Sequence, residues 1–227
     1  MRLPHLPMAT IAFLLACPFA VAADAEDAGA IKLFDGKSLA GWECFTVDPE
    51  AKIDDVWRVE DGLLITTGQP LGYLATKEKF TNFRLIVEWR WPEGQEPGNS
   101  GVLLRTADKP ITFLTKCMEA QLKGGSAGEV YGFYGFKADG PEDRFYEVKD
   151  HAAIGSFVGL KRIRDAEKPV GQWNRYEITL DGGRMTLELN GQLVNEASAC
   201  EVVAGRIGLQ SEGGEIQFRT VTLIPKK

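Results

Sequence analysis

FRLIVEWRW (83–91), PEGQEPGNSGVLLR (92–105) and CMEAQL (117–122) are the segments whose reading decides the fold. In the first, Phe83, Leu85, Val87, Trp89 and Trp91 take the odd positions, with Arg84, Glu88 and Arg90 between them. Period-two alternation of this kind is the pattern of a strand with one buried and one polar face. CMEAQL alternates in the same way: Met118, Ala120 and Leu122 lie on one side, Glu119 and Gln121 on the other. A loop rich in Gly, Pro and Glu separates the two and ends in Asn99-Ser100-Gly101. If these strands are neighbours, Glu88, Arg105, Glu119 and Gln121 share one polar sheet face, and that face is the candidate site.

Moving outward from this block, the same signals recur. Val56–Val59 and Leu63–Thr66 flank Asp61-Gly62, and Met185–Leu189 and Gln192–Val194 flank Asn190-Gly191. Both dipeptides are favoured in tight hairpin turns. Tyr176, Ile178 and Leu180 alternate before Asp181-Gly182-Gly183, while Ile207–Gln210 and Ile216–Val221 close the chain. Roughly a dozen short strands, with no convincing amphipathic helix, indicate an all-β antiparallel sandwich or jelly roll in one domain over 31–227. Between 124 and 136, glycines alternate with Tyr131, Phe133, Tyr134 and Phe136, either as core filling or as an aromatic platform. The charged stretch 138–150 reads as an exposed loop.

The first 22 residues read as an export signal: Arg2, an apolar run from Met8 to Phe19, then Ala20-Val21-Ala22. The run is shorter than the ~20 residues a membrane span needs. Residues 23–30 read as a flexible lead-in, and the expected location is periplasmic or extracellular. Leu14-Leu15-Ala16-Cys17 loosely resembles a lipobox, which would make Cys17 a lipid anchor. A net charge of −6 without a basic patch argues against nucleic acid as a partner. Cys44, Cys117 and Cys200 show no zinc spacing; an odd count permits one disulfide plus a spare thiol, or three buried thiols acting as small hydrophobes.

The order Leu33-Phe34-Asp35-Gly36-Lys37-Ser38-Leu39-Ala40-Gly41-Trp42, Trp57–Leu64, Phe83–Trp89, Asn99–Val102, Glu119–Leu122, Gly171–Asn174, Asn190-Gly191, Gly205–Gln210 and Phe218-Arg219 resembles the 3-keto-disaccharide hydrolase family. The resemblance implies a concanavalin A-like jelly roll of two antiparallel sheets with ligands on its concave face. It also implies cleavage of glycosides already oxidised to a ketone at carbon 3. One departure is visible: many members carry a histidine in the segment matching Ser211–Gly214, and this chain has none there.

A 3-ketone acidifies the proton on carbon 2; its removal gives an enolate that expels the substituent on carbon 1, and water then adds. That route needs a base and a group stabilising the ketone oxygen. Glu119 is the first candidate base and Glu88 the second, with Arg105 as enolate stabiliser. Gln121, Asn99, Ser100, Tyr131 and Tyr134 are candidate sugar contacts. His151 reads as a loop residue. A divalent metal held by Glu119, Glu88 and His151 could polarise the ketone, although their spacing carries no metal signature. The alternative reading is a non-catalytic carbohydrate-binding module.

Overall fold

The computed structural model describes residues 29–227. The expected export signal, Cys17 and nearly all of the 23–30 lead-in lie outside the described residues. The first half supplies β1 (Ile31–Lys32), β2 (Trp42–Thr46), the one-turn helix α1 (Ile53–Val56), β3 (Trp57–Glu60), β4 (Leu63–Thr66), β5 (Gly72–Thr76), β6 (Phe83–Arg90) and β7 (Gly101–Thr106). The second half supplies β8 (Cys117–Gln121), β9 (Val130–Phe133), β10 (Phe145–His151), β11 (Gly155–Leu160), β12 (Asn174–Asp181), β13 (Arg184–Leu189), β14 (Gln192–Ala197), β15 (Arg206–Ser211) and β16 (Ile216–Pro225).

These strands form two antiparallel sheets packed face to face, the jelly-roll sandwich expected. One runs β14-β13-β12-β6-β16-β4-β3, with β1 added along β16; the other runs β10-β11-β9-β8-β7-β15-β5-β2. The hairpin turns behave as their sequences dictate. Asp61-Gly62 and Asn190-Gly191 both place two successive residues at positive φ, as a type I′ turn requires.

The alternation in β6 has the physical cause expected. Phe83, Leu85, Val87 and Trp89 are fully buried against Met118, Ala120 and Leu122 of the opposite sheet. Burying each such side chain contributes about 1.5–3 kcal/mol, so a one-residue slip would be heavily penalised. β6 and β8 therefore face one another across the core instead of lying side by side. This corrects the shared polar face: Glu88 is on the outside of the first sheet, and Glu119 is on the outside of the second.

A second, smaller apolar layer covers the outer face of the second sheet. It comprises Tyr73, Ala75, Leu103, Leu114, Cys117 and Phe133, flanked by Phe45, Phe113, Tyr131, Tyr134, Ile154 and Phe157. Segment 138–150, expected to be a loop, instead contains most of β10, which pairs with β11 at the sheet edge. Its residues are mostly exposed, so no apolar period marked it. All three described cysteines are free. No helix among the described residues is long and apolar enough to cross a membrane.

Candidate active site

β8 holds the site. Pairing sets Glu119 opposite Leu103 of β7 on one side and opposite Tyr131 of β9 on the other. Gln121 lies opposite Gly101. Because Met118 and Ala120 belong to the core, Glu119 and Gln121 project outward into a cavity of about 360 Å³. That volume is at the lower end of the ~300–1,000 Å³ range of small-molecule sites. Asn99, Lys123, Gln210 and Glu212 supply polar wall, while Tyr131, Phe133, Ile154 and Phe157 supply the apolar side.

The Glu119 carboxyl occupies space that a side chain at Gly101 would fill. A Cβ there would come within 2.1 Å of Glu119 Oε1 and 2.8 Å of its Cγ. Glu119 is only 1% exposed, and its Oε1 has no hydrogen-bond partner. Burial pushes its carboxyl well above the usual carboxylate range, and the charge of Glu212 pushes the same way. Such a group is costly to the fold, because a buried polar atom without a partner loses its hydration uncompensated. A strongly shifted acid in a cleft is a mark of a functional site.

Glu212 follows directly after β15. Burial raises its carboxyl too, opposed by the side chains of Asn99 and Gln210 and by the Lys123 charge. Asn99 Oδ1 and Gln210 Oε1 are themselves buried without partners. The loops bearing Asn99 and Glu212 are clamped together: Asn99 N donates to Gly213 O at 2.7 Å. A Cβ at Gly98 would approach that same oxygen to 1.8 Å.

Glu212 was not among the residues singled out from sequence, where its segment was noted only for lacking a histidine. A usable signal was present. Gly208, Gln210 and Glu212 share parity, so the outward face of β15 continues through Glu212.

Tyr131, Asn99 and Gln121, the candidate sugar contacts, line the cavity. The Tyr131 hydroxyl donates to Glu129 Oε2 at 2.6 Å, and its ring stacks on Phe133 at 5.7 Å. Gln121 Oε1 accepts from the amides of Leu122 and Lys123, both at 2.9 Å, which leaves its NH2 end to the cavity. His151, expected to be a surface loop residue, ends β10 at the cavity rim, its ring edge-on to Phe157.

Four expectations need correction. Arg105 does not approach Glu119. It sits at positive φ where the β7–β15 register shifts, and the bulge turns its side chain away from the alternating face. Its guanidinium is buried among main-chain carbonyls, donating to Thr81 O (2.6 and 2.8 Å), Glu201 O (2.7 Å) and Gly182 O (2.9 Å). Glu88 is held by Arg219, at 3.0 Å to each oxygen, and by Thr220. Ser100 is fully buried and its hydroxyl donates to Gln210 O at 2.8 Å. Tyr134 shares its hydroxyl with Thr112 at 2.6 Å and does not line the cavity.

The trio Glu119, Glu88 and His151 consequently cannot assemble around a metal. Among the described residues no group of three His, Cys, Asp or Glu side chains is placed to hold one.

A curated 3-keto-disaccharide hydrolase from Bacteroides thetaiotaomicron is 25% identical over 189 residues, 74% of this chain and 58% of that protein. The chain thus spans little more than half the length of the curated relative it matches. A crystal structure from Parabacteroides distasonis, provisionally named a glycosyl hydrolase, superposes with a TM-score of 0.63 at 18% identity, covering 91% of this chain and 99% of that one. The carbohydrate-binding module CBM66 from Bacillus subtilis superposes at 0.52 and 13% identity, covering 80% and 94%. These two likenesses concern the fold. The model of the 3-keto-alpha-glucoside-1,2-lyase-like domain matches residues 29–224, and the chain belongs to that family.

Proposed function

We propose that this protein is carbohydrate-active and cleaves 3-keto-glycosides by proton abstraction at carbon 2, elimination of the carbon 1 substituent, and hydration. The observation that carries the reading is the Glu119 carboxyl, buried yet opening on a cavity beside a second carboxyl, Glu212. Elimination across adjacent atoms calls for one group that takes a proton and one that gives it, and two neighbouring carboxyls with unequal surroundings suit that pair. Lys123 supplies positive charge on the same wall, the part first given to Arg105. The stacked Tyr131 and Phe133 offer an apolar face to a sugar ring. The segment 1–22 fits export to where such glycosides are met.

The test is Glu119→Gln, which removes the transferable carboxyl proton and keeps the shape. Turnover of 3-keto-glycosides should fall about 10²–10⁴-fold, the usual worth of a positioned proton-transfer group. An undiminished rate would remove Glu119 from the chemistry. The aromatic wall also favours a second reading, a binding module without turnover. In that case glycan binding survives Glu119→Gln and is lost in Tyr131→Ala.

A further inference from the structure

The two carboxyls in the cavity are not equivalent, and the difference lies in what surrounds each. Glu119 projects from the middle of a strand between Leu103 and Tyr131, against the bare backbone of Gly101. Its Oε1 meets no donor among the described residues. The neighbouring Tyr131 hydroxyl is already directed to Glu129. Among the described residues no cation pairs with this carboxyl, and burial and the Glu212 charge both oppose its ionisation.

Glu212 has the opposite setting. It is half-buried at a loop mouth, with Asn99, Gln210 and Lys123 lining the same cavity wall, and all three oppose the rise that burial imposes on its carboxyl. The amide oxygens of Asn99 and Gln210, both on this wall, are buried without a partner. The clamp between Gly98, Asn99 and Gly213 fixes these residues relative to Glu212. The other titratable group reaching the cavity is His151, on the β10 side at the rim.

We propose that Glu212 is the base that removes the carbon 2 proton, and that Glu119 is the acid that protonates the departing oxygen. This reverses the role first expected of Glu119, and it rests on the reading of the substrate given above. Two carboxyls that open on one cavity and feel one another's charge do not ionise together readily, and the proton settles where a charge is least supported. Glu119 therefore enters the reaction protonated and Glu212 enters ionised.

The steps balance. Glu212 takes the proton as the C2–H pair becomes the C2–C3 double bond of the enolate. That enolate re-forms the ketone while a C1–C2 double bond forms and the C1–O bond breaks, and the leaving oxygen takes the Glu119 proton. Water then adds at carbon 1: the Glu119 carboxylate accepts a water proton, Glu212 returns its proton to carbon 2, and the pair is restored.

The test follows substrate recovered from partial reactions with 3-keto-trehalose in deuterium oxide, using Glu119→Gln and Glu212→Gln whose folding is checked by circular dichroism and melting. Substrate recovered from Glu119→Gln should carry deuterium at carbon 2, because the enolate forms and returns while release falls about 100-fold or more. Substrate recovered from Glu212→Gln should stay unlabelled beyond background. A nitrophenyl 3-keto-glucoside, whose leaving group needs no proton, should restore release by Glu119→Gln but not by Glu212→Gln. Unlabelled substrate from the first variant, or label from the second, would overturn the assignment. Absence of product from 3-keto-trehalose with the unsubstituted protein would instead overturn the substrate reading, and the assignment with it.

Discussion

At the scale of single residues, Glu119 costs the fold stability at neutral pH. Its carboxyl titrates well above the usual range because it is buried beside Glu212, so the folded chain holds a proton that the unfolded chain has released. For an acid raised in this way, the contribution to stability is complete below the unfolded value of about 4.3 and lost as pH rises towards the folded one. Melting temperature should therefore decline with rising pH above about pH 5 through this group. Glu119→Gln should flatten the decline and raise the melting temperature at pH 7 by a few degrees, corresponding to about 1–2 kcal/mol. A variant that melts lower than the parent at pH 7 would contradict the unpaired state of this carboxyl. Glu88 has the opposite sign. Arg219 and Thr220 hold it below the usual range, so what it adds is present above that range and lost on acidification. Glu88→Gln should cost no more than about 1 kcal/mol, as a part-exposed pair on the far sheet, and leave turnover unchanged.

Elements explain which of these placements could be read in advance. Period-two alternation told which side of its own strand each residue takes, and Glu119 and Gln121 follow it. It carried no information on which sheet a strand joins, so Glu88 was assigned to the wrong layer. Nor could it foresee the bulge at Arg105, where two residues of β7 stand against one of β15 and the alternation breaks. Arg105 pins this bulge to the segment before β6 and to the β12–β13 turn. Arg105→Lys should lower stability by about 2–4 kcal/mol, since one ammonium cannot replace the fork, while the folded fraction keeps its turnover. Denaturant unfolding alongside kcat/KM separates the two effects. Gly101→Ala is predicted to do the reverse. Its Cβ would displace the Glu119 carboxyl, lowering kcat at least about tenfold with a smaller loss of stability. The β10–β11 hairpin escaped notice because an exposed edge strand has no apolar period to display.

For the whole molecule, the two outer faces of the sandwich differ in kind. The outer face of the first sheet is a lattice of ion pairs, with Trp173 held between Arg90 and Arg219, each 4.6 Å from its ring. Arg84 and Arg175 pair with Glu177, and Arg219 with Glu88, so both carboxylates are held by arginine. The outer face of the second sheet instead carries an apolar layer interrupted by Glu212 and by Glu119, whose Oε1 has no partner. The ordered motifs made the family and fold legible along the chain. The site depended on strand pairing between segments far apart, which brings Glu212 to Glu119 across β15, β7 and β8. The measurement that tests the central claim most directly is sugar release from 3-keto-trehalose and 3-keto-glucosides, run beside the same sugars unoxidised. The account predicts 3-keto-glucose from the oxidised substrates alone; equal release from the unoxidised sugars, or none from any, would contradict it.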